Sequence, residues 1–255
     1  MIRTGERYPD EPPPSPPTCL IAALESEAEA VIAEREFGWV RVADKVWDSG
    51  RFPLRLALSG VGKVLASWCF ARYAESARRI VCFGTSAAPG FEEIGSLYLA
   101  REFVEHDFDL SGLGLELGVT PDEGMEGPLL IPPSASLAME LRTAAAACKL
   151  ELGECRSASG DIFVFDAMAA RNLAARTGAR LLDMESAALA KLAVLRAGRT
   201  NAKGERISPE FLALRYVSDN ADHRAGRSWK EELREASMDF ADLLLAFARV
   251  IRAGG

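Results

Sequence analysis

Three carboxylates in this sequence each stand just past a short apolar run. Glu27 follows Cys19–Leu24, Glu185 follows Leu181-Leu182, and Asp219 follows Leu212–Val217. Apolar runs of this length, stopped by polar residues, read as buried strands. In open α/β folds the groups that do chemistry sit at the carboxyl ends of such strands, facing a crevice. An acid there is placed to meet a substrate. Each acid also has a plainer reading. Asp219 lies in Ser218-Asp219-Asn220, residue types that dominate caps and turns. Glu25 and Glu27 fall in the first turn of a helical pattern, where the helix dipole favours acids. Glu185 opens a helix beside small residues. The residues alone leave both readings of each acid open.

Two turns accompany these acids. Ser59-Gly60-Val61-Gly62-Lys63 follows the apolar segment Pro53–Ser59, and its glycines suggest a tight turn with a close backbone approach. It is not a phosphate loop: Ala57 stands five before Gly62, and Val64, not Ser or Thr, follows Lys63. Thr85-Ser86-Ala87-Ala88-Pro89-Gly90 follows the strand Arg79–Gly84, with small residues whose backbone amides can line a site. Gly112–Gly118 has the wrong glycine spacing for a dinucleotide fingerprint and lacks the strand–helix context.

The elements that must position these groups alternate along the chain. Strands are predicted at Cys19–Leu24, Val40–Trp47, Pro53–Ser59, Arg79–Gly84, within Ile94–Val104, at Cys155–Ala158, at Leu181–Asp183 and at the Leu212 run. Helices are predicted from Glu25 to about Glu34, from Val61 to Ala77, and over Ser134–Leu150, Asp166–Thr177, Ala187–Arg196 and Ser228–Ala253. In the last, Leu233, Phe240, Leu244, Phe247 and Ile251 recur at helical spacing, with Leu243 and Val250 beside them. Six prolines in positions 9–17 mark residues 1–17 as a flexible tail. No composition break follows, so residues 18–255 read as one α/β domain with helices on both faces of a sheet.

Composition narrows the partners. The 255 residues carry a net charge of −7 and no basic cluster, which argues against nucleic acid and anionic membranes. No apolar run approaches the roughly 18 residues of a membrane span, and the N-terminus lacks a signal-peptide core. Five scattered cysteines suit reduced thiols in the cytoplasm, and two distant histidines argue against a zinc site. No cofactor is expected.

Taken together, the motifs resemble the nucleoside phosphorylase/nucleosidase superfamily, and within it the methylthioadenosine/S-adenosylhomocysteine nucleosidases. The resemblance rests on LIAALESEAE, SGVGKV, GTSAA, HDFD, SGDIFV, DMESAALA and RYVSDNAD, in the family's order from Cys19 to the last helix. It implies a three-layer α/β/α sandwich with a mixed central sheet, a purine nucleoside as ligand, and a homodimer. It implies that Asp219 is the general acid that protonates purine N7, with Ser218 positioning it, and that Glu27 activates the attacking water. Glu185 would bind the ribose hydroxyls, with Met184 packed on the sugar. Phe163 would stack on the base, Val164 would recognise its edge through the backbone, and Thr85 stands where the family commonly has Ser. Val61 and Trp229 would line the pocket. Leu110, Leu113 and Leu115 match positions that reach into the neighbouring subunit's site near the 5′ substituent.

Such residues fit cleavage of an N-glycosidic bond. An acid at the base and a carboxylate at the sugar act on charge that develops only in the transition state, as in two-carboxylate glycosidases. Glu25-Ser26-Glu27 is acidic and Cys82 occupies the second position where phosphorylases carry Arg, which favours water over phosphate. Arg78, Arg79 and Arg215 are the cations a fold could still recruit. The sequence departs from the family in places. The turn reads Gly84-Thr85-Ser86-Ala87-Ala88 instead of Gly-Ser-Ala-Gly-Gly, Gly95-Ser96 replaces Gly-Asp, leucines replace aromatics near the 5′ pocket, and the loop Arg196–Glu210 is long. A futalosine-type nucleosidase, a phosphorylase and a silent nucleoside-binding protein are the alternatives.

Overall fold

The apolar runs become the middle of a sheet in the computed structural model, which describes residues 18–90, 93–119, 129–130, 135–197 and 209–253. Strands β1 (Thr18–Ala22), β4 (Leu54–Leu58) and β10 (Glu210–Asp219) are buried along almost their whole length. Strands covered on both faces need apolar residues at successive positions, which is why they read as continuous runs. β1 lies between β4 and β5 (Arg79–Ala87), parallel to both, and β10 runs parallel to β5 on its other side. β6 (Leu97–Glu105) pairs antiparallel with β10 and parallel with β8 (Leu152–Ser159). The short β9 (Leu181–Asp183) runs parallel to β8 and meets β5 at Ala87 opposite Leu182. A ring of β5, β10, β6, β8 and β9 therefore closes part of the mixed sheet on itself. β7 (Leu129–Leu130) pairs with β6.

The free edge differs from the expectation of one strand over Val40–Trp47. β2 (Trp39–Ala43) and β3 (Val46–Ser49) form a hairpin instead, and β3 pairs with β4. The turn falls at Asp44-Lys45, with Lys45 at a φ of 55°. No Gly or Pro marks that turn, so no break shows at that point of the chain. Arg55 in β4 is fully buried and grips Asp48 of β3 through Nε at 2.7 Å and Nη2 at 2.9 Å, satisfying a charge inside an apolar strand.

Alternation along the strands feeds two apolar layers. Leu20, Leu56, Phe83, Leu212 and Leu214 point to one face. There α1 (Glu25–Ala33), α3 (Ala135–Ala147) and α6 (Ala225–Ala253) cover them, with Phe240, Leu244 and Phe247 buried. Ile21, Ala57, Ile80 and Ala213 point to the other, under α2 (Lys63–Cys69) and α5 (Ser186–Arg196). α4 (Ala167–Thr177) packs with β8 and β9 through Ala170, Ala158 and Leu182. The result is the expected three-layer α/β/α sandwich. Burial of each large apolar side chain stabilises it by roughly 1.5–3 kcal/mol before entropy is counted.

Element ends shift modestly. The helix expected over Val61–Ala77 begins at Lys63 and ends in a wider turn at Phe70–Ala74. The last helix begins at Ala225, three residues before Ser228. The tail 1–17, Pro132-Pro133 and most of the loop Arg196–Glu210 lie outside the described residues. Among the described residues no helix is long and apolar enough to cross a membrane.

Candidate active site

β1, β4, β5 and β10 run the same way, so their carboxyl ends gather at one edge of the sheet. The end of β9 joins them. A cavity of about 670 Å³ opens there, a size that suits a small organic ligand. Glu27, Glu185 and Asp219 line it at 4, 6 and 2% exposure. The crevice reading of all three acids is therefore geometrically sound, and each is fixed differently.

Glu27 satisfies both of its sequence readings. Its Oε2 accepts from the Leu24 amide at 3.1 Å, closing the start of α1. Its Oε1 accepts from the Thr85 amide and from Thr85 Oγ1, both at 2.8 Å. Thr85 Oγ1 in turn accepts from Trp229 Nε1 at 3.0 Å. The chain of bonds ties β1, β5 and α6 together at the cavity wall. Gly84 makes the approach possible, since a Cβ there would lie 2.8 Å from Glu27 Oε1 and 3.0 Å from Arg215 Nη1.

Below this wall lies a polar floor. Asp183, at the end of β9, accepts from Ser157 Oγ at 2.7 Å and Ser159 Oγ at 2.6 Å. It also accepts from the amides of Glu185 at 3.0 Å and Ser186 at 2.9 Å. Arg215 from β10 is 2% exposed, lies 3.4 Å from Asp183 Oδ2, and donates through Nε to Ser186 Oγ at 3.1 Å. Burial pushes the Asp183 carboxyl up, but Arg215 and the serine donors outweigh it and leave it below the usual range. The Cys82 thiol accepts from Arg215 Nη2 at 3.2 Å, and burial holds it protonated, pushed up to about 12.

Glu185 stands two residues on and is poorer in donors. The Gly62 amide donates to its Oε1 at 3.0 Å, and Arg215 Nη2 is 3.9 Å from Oε2. Burial dominates, and its carboxyl is raised to about 7. It sits at the polar brink between two protonation states near neutrality. Asp219 is raised as well, by burial first, against the Ala221 amide and the Ser218 hydroxyl that it accepts from at 2.9 Å each. Asp219 does not cap α6. Asp222 closes a similar local turn just ahead of the helix, accepting from the Arg224 amide at 2.7 Å.

The cavity brings together ten of the thirteen residues singled out in the sequence: Asp219, Glu27, Glu185, Met184, Phe163, Val164, Ser218, Thr85, Val61 and Trp229. Leu110, Leu113 and Leu115 do not line it. They belong to a loop with a short 3-10 turn at Ser111–Leu113, and Leu113 is 79% exposed. Sequence reasoning missed the floor. Its signals were Ser157 and Ser159 at alternate positions of one strand, and an arginine inside the apolar run Leu212–Val217, since buried charges are paired. It also missed Arg227 and Lys230, exposed cations of α6 that line the cavity mouth.

The profile of the phosphorylase superfamily matches residues 17–249. A 5′-methylthioadenosine/S-adenosylhomocysteine nucleosidase of Shewanella halifaxensis is 24% identical over 239 residues, covering 90% of this chain and 93% of that protein. An aminodeoxyfutalosine nucleosidase of Helicobacter pylori is 30% identical over 152 residues, 60% of each chain. Among solved structures, a variant of the Helicobacter pylori nucleosidase with 5′-methylthioadenosine in its active site superposes with a TM-score of 0.76 at 23% identity, covering 92% of this chain and 99% of that one. The futalosine hydrolase of Helicobacter pylori superposes at 0.75 and 22% identity, covering 91% and 97%. At these identities the superpositions establish the shared fold.

Proposed function

The chain belongs to the phosphorylase superfamily, and from that premise we propose that it is a purine nucleosidase acting on 5′-methylthioadenosine or S-adenosylhomocysteine. The observation that carries this reading is the pair of raised carboxyls, Asp219 and Glu185, lining one cavity with Glu27. The base stacks on Phe163 with its edge at the Val164 backbone. Asp219, whose carboxyl burial shifts toward the protonated form, donates a proton to purine N7. The bond between C1′ and N9 breaks, its electrons pass into the base, and the sugar takes on oxocarbenium character. Glu185, as carboxylate, accepts hydrogen bonds from the ribose hydroxyls and steadies that charge. A water oxygen bonds to C1′ while Glu27 takes its proton. The products are free adenine and a free thiosugar, and both acids return to their starting states by exchange with solvent. General acid–base help of this kind is worth roughly 10²–10⁴-fold.

The cation inventory favours water as nucleophile. Arg79 pairs with Glu140 and Glu210 at the opposite end of β5, and Arg78 lies beside it. Arg215 is engaged in the floor. A second reading is supported by Arg227 and Lys230 at the mouth, which suit a nucleoside with an anionic group on its 5′ arm, such as a futalosine-type substrate. A homodimer agrees with the exposed apolar side chains Val64, Leu65 and Trp68 of α2, together with Leu113. In it, Leu110, Leu113 and Leu115 would serve the neighbouring cavity. Five free cysteines suit a reducing compartment, and the reading assigns the chain to the cytoplasm.

Adenine release from 5′-methylthioadenosine, followed by chromatography with and without phosphate, tests the proposal. Free adenine and methylthioribose at a rate independent of phosphate is the expected result. Strict dependence on phosphate would make the enzyme a phosphorylase. Nucleoside binding with no release under either condition would make it a silent binder.

A further inference from the structure

The carboxylate of Glu185 has one close amide donor, Gly62, and that donor belongs to a turn with an unusual backbone. Gly62 has a φ of 95°, and a Cβ there would lie 2.8 Å from Asp161 Oδ1. The next amide, Lys63, donates to that same oxygen at 2.8 Å. The Asp161 amide donates to Asp107 Oδ2 at 2.9 Å. Asp107 Oδ1 accepts from Lys63 Nζ at 2.6 Å. These three bonds close a ring through three loops, those after β4, β6 and β8. Lys63 Nζ also lies 3.2 Å from Glu105 Oε1, and Glu105 pairs with Lys191 of α5, the helix that Glu185 begins. Both ends of the Gly62–Glu185 bond are thus held by the same set of charges.

We propose that Asp161 is a positioning residue that aims Glu185 through the Gly62 amide, with Lys63 and Asp107 completing the ring. The inference rests on the ribose-binding role given to Glu185. It is directional: Asp161 is not among the residues lining the substrate cavity, and its side chain meets the Glu185 donor at the turn of Gly62 and Lys63. A surface carboxylate with no such task would be expendable. Here its loss frees a glycine turn, and the Gly62 amide drifts from the carboxylate it serves.

The test compares Asp161→Ala with Asp161→Asn. Both remove the same charge, but Asn keeps an oxygen that can accept from the Lys63 amide. The first readout is the titration of the Glu185 side-chain carboxyl in protein with 13C-labelled glutamate, the signal being identified by its loss in Glu185→Gln. Asp161→Ala should raise that titration midpoint by roughly one pH unit, as expected when a charged group loses one hydrogen bond, and Asp161→Asn should leave it near the native value. The second readout is kcat/KM for 5′-methylthioadenosine. It should fall about tenfold in the Ala variant, mostly in kcat, and recover in the Asn variant. Identical Glu185 titrations in the native protein and Asp161→Ala would overturn the proposal, whatever happens to rate or melting temperature. Absence of adenine release by the native protein would instead count against the nucleosidase reading, and the titration would still decide on the ring.

Discussion

Asp183 and Glu185 stand two residues apart at the end of one strand, both buried, and their carboxyls are driven in opposite directions. Asp183, in the floor, collects two serine hydroxyls, two backbone amides and a buried arginine. It is held ionised. Glu185, in the wall, has one close amide, and burial raises it to about 7. The difference teaches that burial alone does not set the state of an acid. The count of donors aimed at it does. The floor gives its donors to a permanent ion pair, and the wall leaves Glu185 short of partners, which is the condition under which it can respond to a substrate.

The comparison can be broken most severely at the floor. Asp183→Ala leaves Arg215 buried without its main partner and should cost about 3–5 kcal/mol of unfolding free energy, read by urea titration at neutral pH. A loss under about 1 kcal/mol would mean that the floor is not a tight ion pair. At the wall the sign should reverse. Because the folded-state carboxyl of Glu185 lies above its ordinary value near 4.5, its protonated form favours the fold. That contribution is whole below pH 4.5 and is lost as the pH rises through about 7. Glu185→Gln should therefore flatten the decline in stability over that window. It should also leave the protein more stable than native at pH 8, on the order of 2 kcal/mol, while activity drops. Equal stability profiles would place the raised carboxyl elsewhere. The smallest effect is expected at Trp229→Phe, which removes the donor to Thr85 Oγ1. It should slow adenine release about tenfold or less with little change in melting temperature. A larger loss would mean that Trp229 touches substrate.

Much of this was legible in the sequence for definite reasons. The buried parallel strands read as apolar runs, and Glu27, Glu185 and Asp219, each singled out just past one of them, line the cavity. The hairpin at Asp44-Lys45 was not legible, because its turn carries no Gly or Pro. Asp219 and Asp222 each close a local turn by accepting from the amide two residues on, and residue type alone does not tell such a turn from a helix cap. The floor was hidden more deeply. The serines of β8, Asp183 of β9 and Arg215 of β10 lie on strands far apart in sequence, and the pairing of β5, β10, β6, β8 and β9 into a ring brings them together.

The central claim is that Asp219 is the acid that releases the base. Asp219→Asn keeps the size of the side chain and an oxygen for the Ala221 amide, and removes the proton. Turnover of 5′-methylthioadenosine by this variant, measured beside the binding of the same nucleoside, is the most direct test. The account predicts a loss of roughly 10²–10⁴-fold in turnover with binding retained. Turnover within a few fold of native would contradict it and remove Asp219 from the mechanism.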